Sequence, residues 1–95
     1  MPKFIMLSTL GPDGMATLRD HPERLLEVNA EVEALGVRVE KQYALLGGYD
    51  FLNVLDAPDE QTLAKVAVML GARGTLKTQT LLAIPIEEFI AAVRR

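Results

Sequence analysis

The chain has 95 residues, a mass of 10.4 kDa, 49% hydrophobic residues and a net charge of −3, which predicts one globular domain over residues 1–95. The absence of cysteine and the single histidine exclude disulfides, thiol catalysis and a multi-histidine metal site within one subunit. With no bilayer-spanning run, no export signal and a pI of about 5.0, we expect a cytoplasmic protein without membrane or nucleic-acid partners.

The N-terminal segment predicts a strand followed by a loop. Residues 3–9 hold four successive apolar residues between polar ones, which suits a strand buried on both faces. Gly11-Pro12-Asp13-Gly14 has the residues of a turn. After it, Met15 to Asp20 is ambiguous and is interpreted as one short helical turn at most.

The next elements are a helix and a half-exposed strand. Pro22 and the capping-box spacing of Asp20 and Glu23 predict the helix start, and Gly36 predicts its end. The glutamates of this helix are assigned to a solvated face. The strand that follows is predicted to be half-exposed, because residues of its two faces alternate. One face would carry Val37, Val39, Lys41 and Tyr43, and the other Arg38, Glu40 and Gln42.

The second half of the chain predicts a strand, a helix, a strand and a final helix. Gly47-Gly48 closes a hairpin into the apolar strand Phe51–Leu55. Asp59 caps a helix that Gly71 ends, and the last strand covers 75–84. A short amphipathic helix closes the chain, with apolar residues at helical spacing: Ile86, Phe89, Ile90 and Val93.

This βαββαβ order predicts an α+β fold with one four-stranded antiparallel sheet of order 4-1-3-2, plus the C-terminal helix. The first and third strands are the most apolar and take the centre, while the second and fourth take the edges.

Two helices cover only one face of such a sheet, yet both faces of its central strands are apolar. Ile5, Leu7, Leu52 and Val54 would therefore be exposed in a single copy. We expect a homodimer or higher homo-oligomer formed through this face, with the terminal helix placed on the partner or recruiting further subunits. The alternative is that the terminal helix folds back over its own sheet. Asn53 is assigned to the interface, with a role in a pocket as the alternative.

Four short motifs occur along the chain: Gly48-Tyr49-Asp50 with Phe51, Ala57-Pro58-Asp59, Pro22-Glu23-Arg24-Leu25 and Thr78-Gln79-Thr80-Leu81. With these motifs, the sequence resembles the GYD-domain family of the dimeric α/β-barrel superfamily. The resemblance spans nearly the whole chain. It implies a ferredoxin-like unit that dimerises through its sheet, but no catalytic residue can be transferred from it.

The predicted topology gathers six of the seven glycines at one end of the sheet. The first helix also begins there, where free N–H groups favour anions, and Arg19 lies nearby. We therefore expect a pocket for a small anionic ligand at this end. The candidate ligand-binding residues are Thr9, His21, Arg24, Tyr49, Asp50, Arg73 and Thr78.

Three functions remain open at this point. The favoured one is a homo-oligomeric small-molecule-binding protein without chemistry or cofactor of its own. The second is a cofactor-independent monooxygenase or isomerase that acts on an acidic or enolisable small molecule, with His21 or Asp50 as general base and Arg24 or Arg73 stabilising an oxyanion. The third is a purely structural assembly protein. A predicted base with a shifted pKa inside a closed cavity favours the enzyme.

Overall fold

A computed structural model of the chain describes residues 2–74 and 76–95. Strands and helices follow one another along the chain as β1 (Lys3–Leu10), α1 (Pro12–Asp20), α2 (Arg24–Ala34), β2 (Arg38–Ala44), β3 (Phe51–Asp56), α3 (Glu60–Ala72), β4 (Leu76–Ala83) and α4 (Ile86–Val93).

The strands form one antiparallel sheet in the order β2-β3-β1-β4. Read from the other edge, this is the predicted order 4-1-3-2, so the α+β fold is confirmed. The two apolar strands β1 and β3 lie at the centre, where Phe4 is opposite Leu55 and Leu7 is opposite Leu52. The hydroxyl-bearing and charged strands β4 and β2 form the edges, where an unpaired backbone is exposed to solvent.

One face of the sheet, called here the covered face, carries the core. Because side chains alternate along a strand, this face holds Phe4 and Met6 of β1 and Leu55 of β3, which are at most 4% exposed. Val32 of α2 and Leu63 of α3 pack in the same cluster of buried residues. The helices α2 and α3 therefore close this side of the sheet by burying their apolar stripes on it.

The opposite face, called here the open face, carries the alternate residues of the same strands. Ile5, Leu7, Leu52 and Val54 lie at its centre by their register. Tyr43 of β2 and Leu81 of β4 extend it toward the edges and are 50% and 44% exposed. All residues of α4 are exposed, so the terminal helix does not fold back over this face.

The segment between β1 and α2 corrects two expectations. In place of a single turn, α1 is a helix of nine residues that starts at Pro12. The predicted capping box is wrong, because the Asp20 carboxylate instead accepts a 2.8 Å hydrogen bond from Arg19 and no side chain caps α2. The backbone makes the entry turn itself, with Arg24 N donating to His21 O at 3.1 Å.

The predicted alternation in β2 is also wrong, because the register shifts between Val39 and Lys41. A β-bulge places one extra residue in a strand and reverses the side-chain parity beyond it. Val39 consequently pairs with Leu55 on the covered face, while Lys41 and Tyr43 pair with Val54 and Leu52 on the open face.

The predicted end of α2 and the predicted start of α3 agree with the structure. Gly36 follows α2 with a φ of 96°, a left-handed conformation that favours glycine. The Asp59 carboxylate caps α3 by accepting from Thr62 N at 2.7 Å. That helix runs to Ala72, one residue beyond Gly71. Thr75, the predicted start of the last strand, lies outside the described residues.

Candidate functional site

A cavity of about 210 Å³ lies between the covered face and the helices. Most of its lining is apolar, with Met6, Phe51 and Leu55 from the sheet and Val28 and Leu70 from α2 and α3. The cavity opens because α2 packs mainly on β2 and α1, whereas α3 packs mainly on β4, so the two helices leave space between them.

Polar side chains from the central strands reach into this apolar space. Ser8, Asn53 and Thr78 line the cavity from β1, β3 and β4. The Nδ2 of Asn53 is 3.5 Å from the Met6 carbonyl oxygen, and its Oδ1 is buried without a hydrogen-bond partner among the described residues. An unpaired buried acceptor costs about 1–3 kcal/mol. The assignment of Asn53 to the sheet interface is therefore wrong, since the residue lies on the covered face, opposite Met6.

A second pair of amides holds α2 against β2 at the cavity wall. Asn29 Nδ2 donates to Gln42 Oε1 at 2.8 Å, and Gln42 Nε2 donates back to Asn29 Oδ1 at 3.2 Å. Because each amide uses one donor and one acceptor on the other, this pair has a structural explanation within the fold.

Two arginines meet one carboxylate at the edge of the cavity. Arg24 Nη1 lies 3.4 Å from Glu31 Oε1 and 3.1 Å from Glu27 Oε1, and Arg73 Nη2 binds Glu31 Oε2. The Arg73 guanidinium, supported by Arg24, holds the pKa of Glu31 below its ordinary value. Arg73 immediately follows α3, so the Glu31–Arg73 ion pair connects α2 to the end of α3.

Three of the seven predicted ligand-binding residues line the cavity, namely Arg24, Arg73 and Thr78. The other four lie elsewhere: Thr9, His21, Tyr49 and Asp50.

Asp50 holds the hairpin against the end of β1. Its carboxylate oxygen Oδ2 accepts from Leu10 N at 2.7 Å. Its backbone N donates to Ser8 O at 2.8 Å, and its carbonyl accepts from Leu45 N at 2.7 Å. All three contacts are internal, so the geometry gives Asp50 a structural role.

His21 lies outside the cavity, on the turn that leads into α2. Its Nε2 is 2.7 Å from Glu27 Oε2 and its Nδ1 is 3.3 Å from Glu23 Oε2, and its side chain is 53% exposed. The Glu27 carboxylate raises the pKa of His21. This shift comes from an exposed ion pair, which differs from the closed-cavity environment that favours a general base.

Tyr49 and Thr9 belong to the side of the open face. The Tyr49 hydroxyl donates to Gln79 Oε1 at 2.5 Å, and Gln79 lies opposite Leu7 in the sheet. Thr9 lies opposite Lys77 and shares the parity of Leu7. Neither residue lines the cavity.

Glu31 was not predicted as a site residue and was assigned to a solvated face with the other glutamates of α2. The position carried a signal, because Glu31 follows Arg24 by seven residues and therefore shares its helix face. Its contact with Arg73 joins residues 42 apart in sequence, and no local pattern indicates such a contact.

Within residues 2–74 and 76–95 there is no group of three His, Cys, Asp or Glu side chains placed to hold a metal ion. The described part of the chain also has no helix long and apolar enough to cross a membrane.

The fold and the site together define a class of protein: an α+β domain with a ferredoxin-like sheet and a cavity beneath its helices. The GYD-domain model matches residues 4–93, and the chain belongs to the GYD-domain family. This confirms the resemblance carried by Gly48-Tyr49-Asp50 and its neighbouring motifs.

A Thermus thermophilus protein named "glutamine synthetase and cystathionine beta-lyase binding protein" is 53% identical over 95 residues, with 99% of this chain and 100% of that protein covered. Among solved structures, the crystal structure of FFRP-DM1 matches with a TM-score of 0.57 and 20% identity, and covers 88% of this chain and 100% of that one. The second likeness concerns the fold alone.

Proposed function

We propose that this protein is a homo-oligomeric binding protein that docks on other enzymes and performs no chemistry of its own. The observation that carries this proposal is the 53% identity to the Thermus thermophilus protein named for binding glutamine synthetase and cystathionine β-lyase. The alignment extends along 99% of this chain and 100% of that relative, so every region of the relative aligns with a region of this chain. We propose the same two enzymes as partners of this chain.

The location of the candidate bases favours binding over catalysis. His21 is exposed on a turn, and Asp50 uses its carboxylate to accept from the Leu10 backbone. Neither residue lines the cavity, so the enzyme alternative has no predicted base at a substrate position.

The open face supports self-association. It presents Ile5, Leu7, Leu52 and Val54 at the centre of the sheet, and a contiguous apolar patch of this kind typically marks an interface. A two-fold pair with sheets packed face to face would bury it in both copies at once.

The exposed area of the chain is consistent with such an interface. The chain exposes 6374 Å² of surface, whereas a compact chain of its mass exposes about 5,400 Å². Its radius of gyration is 14.5 Å, against about 12 Å for a compact domain of this length. The excess area, about 1,000 Å², is similar to the roughly 800 Å² that each partner buries in a standard interface. A second copy is therefore the occupant we propose for the open face.

Surface plasmon resonance with this protein immobilised tests the docking function. Purified Thermus thermophilus glutamine synthetase and cystathionine β-lyase are passed over it, with the Thermus relative in a second channel and serum albumin as the negative analyte. We expect saturable binding with a Kd in the micromolar range or tighter, that is, about −8 kcal/mol or more favourable. Binding of both enzymes to the relative but of neither to this protein would refute the proposal.

A second function, small-molecule binding, is favoured by the cavity itself. The space is mainly apolar and has a few polar groups, as ligand sites usually do. One of these groups is Asn53 Oδ1, which has no partner among the described residues.

Native mass spectrometry of the purified protein tests this function together with the subunit count. We expect a dimer or larger species that carries a small molecule, and this molecule should be lost on denaturation. A mass equal to that of the protein subunits alone, even after incubation with small carboxylates, would contradict ligand binding.

A further inference from the structure

The charges of the side chains at the cavity edge balance one another. Arg24 and Arg73 carry two positive charges, and Glu27 and Glu31 carry two negative ones within 4 Å of them. An additional carboxylate would unbalance this group unless one of the two glutamates withdrew. Glu27 has a further partner in His21, whereas the partners of Glu31 are the two arginines alone among the described residues.

The space beside these charges suits a compact apolar group. A cavity of about 150 Å³ accommodates a benzene ring, so the 210 Å³ here suits a ligand of about eight to ten non-hydrogen atoms. The side chains that would surround its body are Met6, Val28, Phe51, Leu55 and Leu70.

We propose that the cavity takes a small carboxylate with a compact apolar body, and that this carboxylate displaces Glu31 from Arg73 when it binds. The proposal rests on the second function above, small-molecule binding, and names its ligand class and the residue that competes with the ligand. Glu31 is thus a specificity residue, because it occupies the guanidinium that the ligand requires.

Both partners of this ion pair can separate without leaving a charge buried. The Glu31 side chain is 35% exposed and the Arg73 side chain 33%, so a displaced Glu31 carboxylate can be hydrated. Arg73 lies between the end of α3 and Gly74, whose φ of 73° marks the turn into β4. On the cavity floor, Asn53 Oδ1 is a buried polar atom with no hydrogen-bond partner among residues 2–74 and 76–95.

Titration with sodium benzoate, followed by amide chemical shifts, tests the proposal in the full chain. Wild type is compared with Glu31→Gln, which removes the competing carboxylate, and with Arg73→Gln, which removes the binding cation. We expect Glu31→Gln to bind benzoate about three- to fivefold more tightly. Arg73→Gln is expected to bind it about tenfold more weakly, because a charge-assisted hydrogen bond is lost.

Glu33→Gln is the matched control for charge, because Glu33 lies on the same helix, is exposed and forms no ion pair among the described residues. Benzamide is the uncharged ligand control and should bind wild type and Glu31→Gln equally. The amide spectrum of each variant without ligand verifies its fold.

The outcomes separate the two levels of the proposal. Tighter binding in Glu31→Gln but not in Glu33→Gln supports displacement. Equal benzoate affinity in wild type, Glu31→Gln and Glu33→Gln, with amide shifts around the cavity, overturns displacement and leaves ligand binding in place. A benzoate concentration of about 20 mM is well above a millimolar Kd. If neither wild type nor Glu31→Gln shows amide shifts around the cavity at that concentration, both displacement and ligand binding are overturned.

Discussion

The two faces of the sheet carry similar side chains in β1 and β3 but differ in what lies on them. On the covered face, Phe4, Met6 and Leu55 are buried beneath α2 and α3. On the open face, Ile5 and Val54 remain partly exposed, and no helix of the described residues rests on them. On either side, the hydrophobic driving force is proportional to the apolar area that is removed from water.

One face is therefore completed within the chain, whereas the other would be completed by the second copy that we propose. Folding buries the covered face at any concentration, whereas the proposed association would bury the open face only at concentrations at which two copies bind. Variants of the two faces should therefore differ in how their effects depend on protein concentration.

The largest effect is expected from Leu63→Ala beneath the covered face. Leu63 is 2% exposed, lies in the core cluster and does not line the cavity. Truncating it should lower the free energy of unfolding by about 2–5 kcal/mol, measured by urea denaturation. Leu81→Ala on the open face is the matched control. Leu63→Ala should lower the free energy of unfolding equally at low and high protein concentration. Leu81→Ala should lower it only at high concentration. The reverse pattern would contradict the comparison.

The next effect is expected from Leu7→Lys at the centre of the open face. Leu7 lies opposite Leu52, where a second sheet would bury the new charge without a partner. We expect the variant to sediment as a monomer, with the far-UV circular dichroism of wild type. Val68→Lys, at a position 70% exposed on α3, adds the same charge away from both faces and should leave the sedimentation unchanged. Wild type that sediments as a 10.4 kDa species at high concentration would refute self-association.

A smaller effect is expected where the hairpin meets the end of β1. Asp50→Ala leaves Leu10 N without its 2.7 Å acceptor, and an unsatisfied part-buried N–H costs about 1–3 kcal/mol. Asp50→Asn keeps an acceptor oxygen and should lose less than half as much. Urea denaturation gives the stability, and hydrogen exchange at the Leu10 amide localises the change. Unchanged Leu10 protection in Asp50→Ala would show that this contact does not hold the strand end.

The sheet order was predictable because it depends on coarse properties of whole strands. The apolar runs of β1 and β3 indicate central positions, and glycine and aspartate caps delimit the helices. The bulge in β2 was not predictable, since a register shift after Val39 depends on pairing with β3 and has no local signature. One extra residue there moves Lys41 and Tyr43 to the open face.

The site was predictable only to the level of a neighbourhood. Topology placed seven candidates at one end of the sheet, but strand parity and local partners decide which side chains reach the cavity. Thr78 and Arg73 reach it, whereas Tyr49 is directed toward Gln79 on the open face. Glu31 was assigned to solvent because its contact with Arg73 is entirely tertiary.

The smallest effect is expected at His21, on the turn that borders the covered face. Glu27 raises the pKa of His21 above its ordinary value of about 6.5. A raised folded-state pKa contributes stability that is complete below the unfolded value and is lost as the pH rises through the folded value. The Tm of wild type should therefore exceed that of His21→Gln most at pH values below about 6.5, and the difference should decline as the pH rises. Because the pair is exposed, high salt should reduce the difference as well. A Tm difference that is constant across this range, or a His21 titration by NMR with a midpoint below the ordinary value, would mean that Glu27 does not hold the imidazolium. The turn would then be held by its backbone hydrogen bonds, which include those from Arg24 N to His21 O and from Leu25 N to Pro22 O.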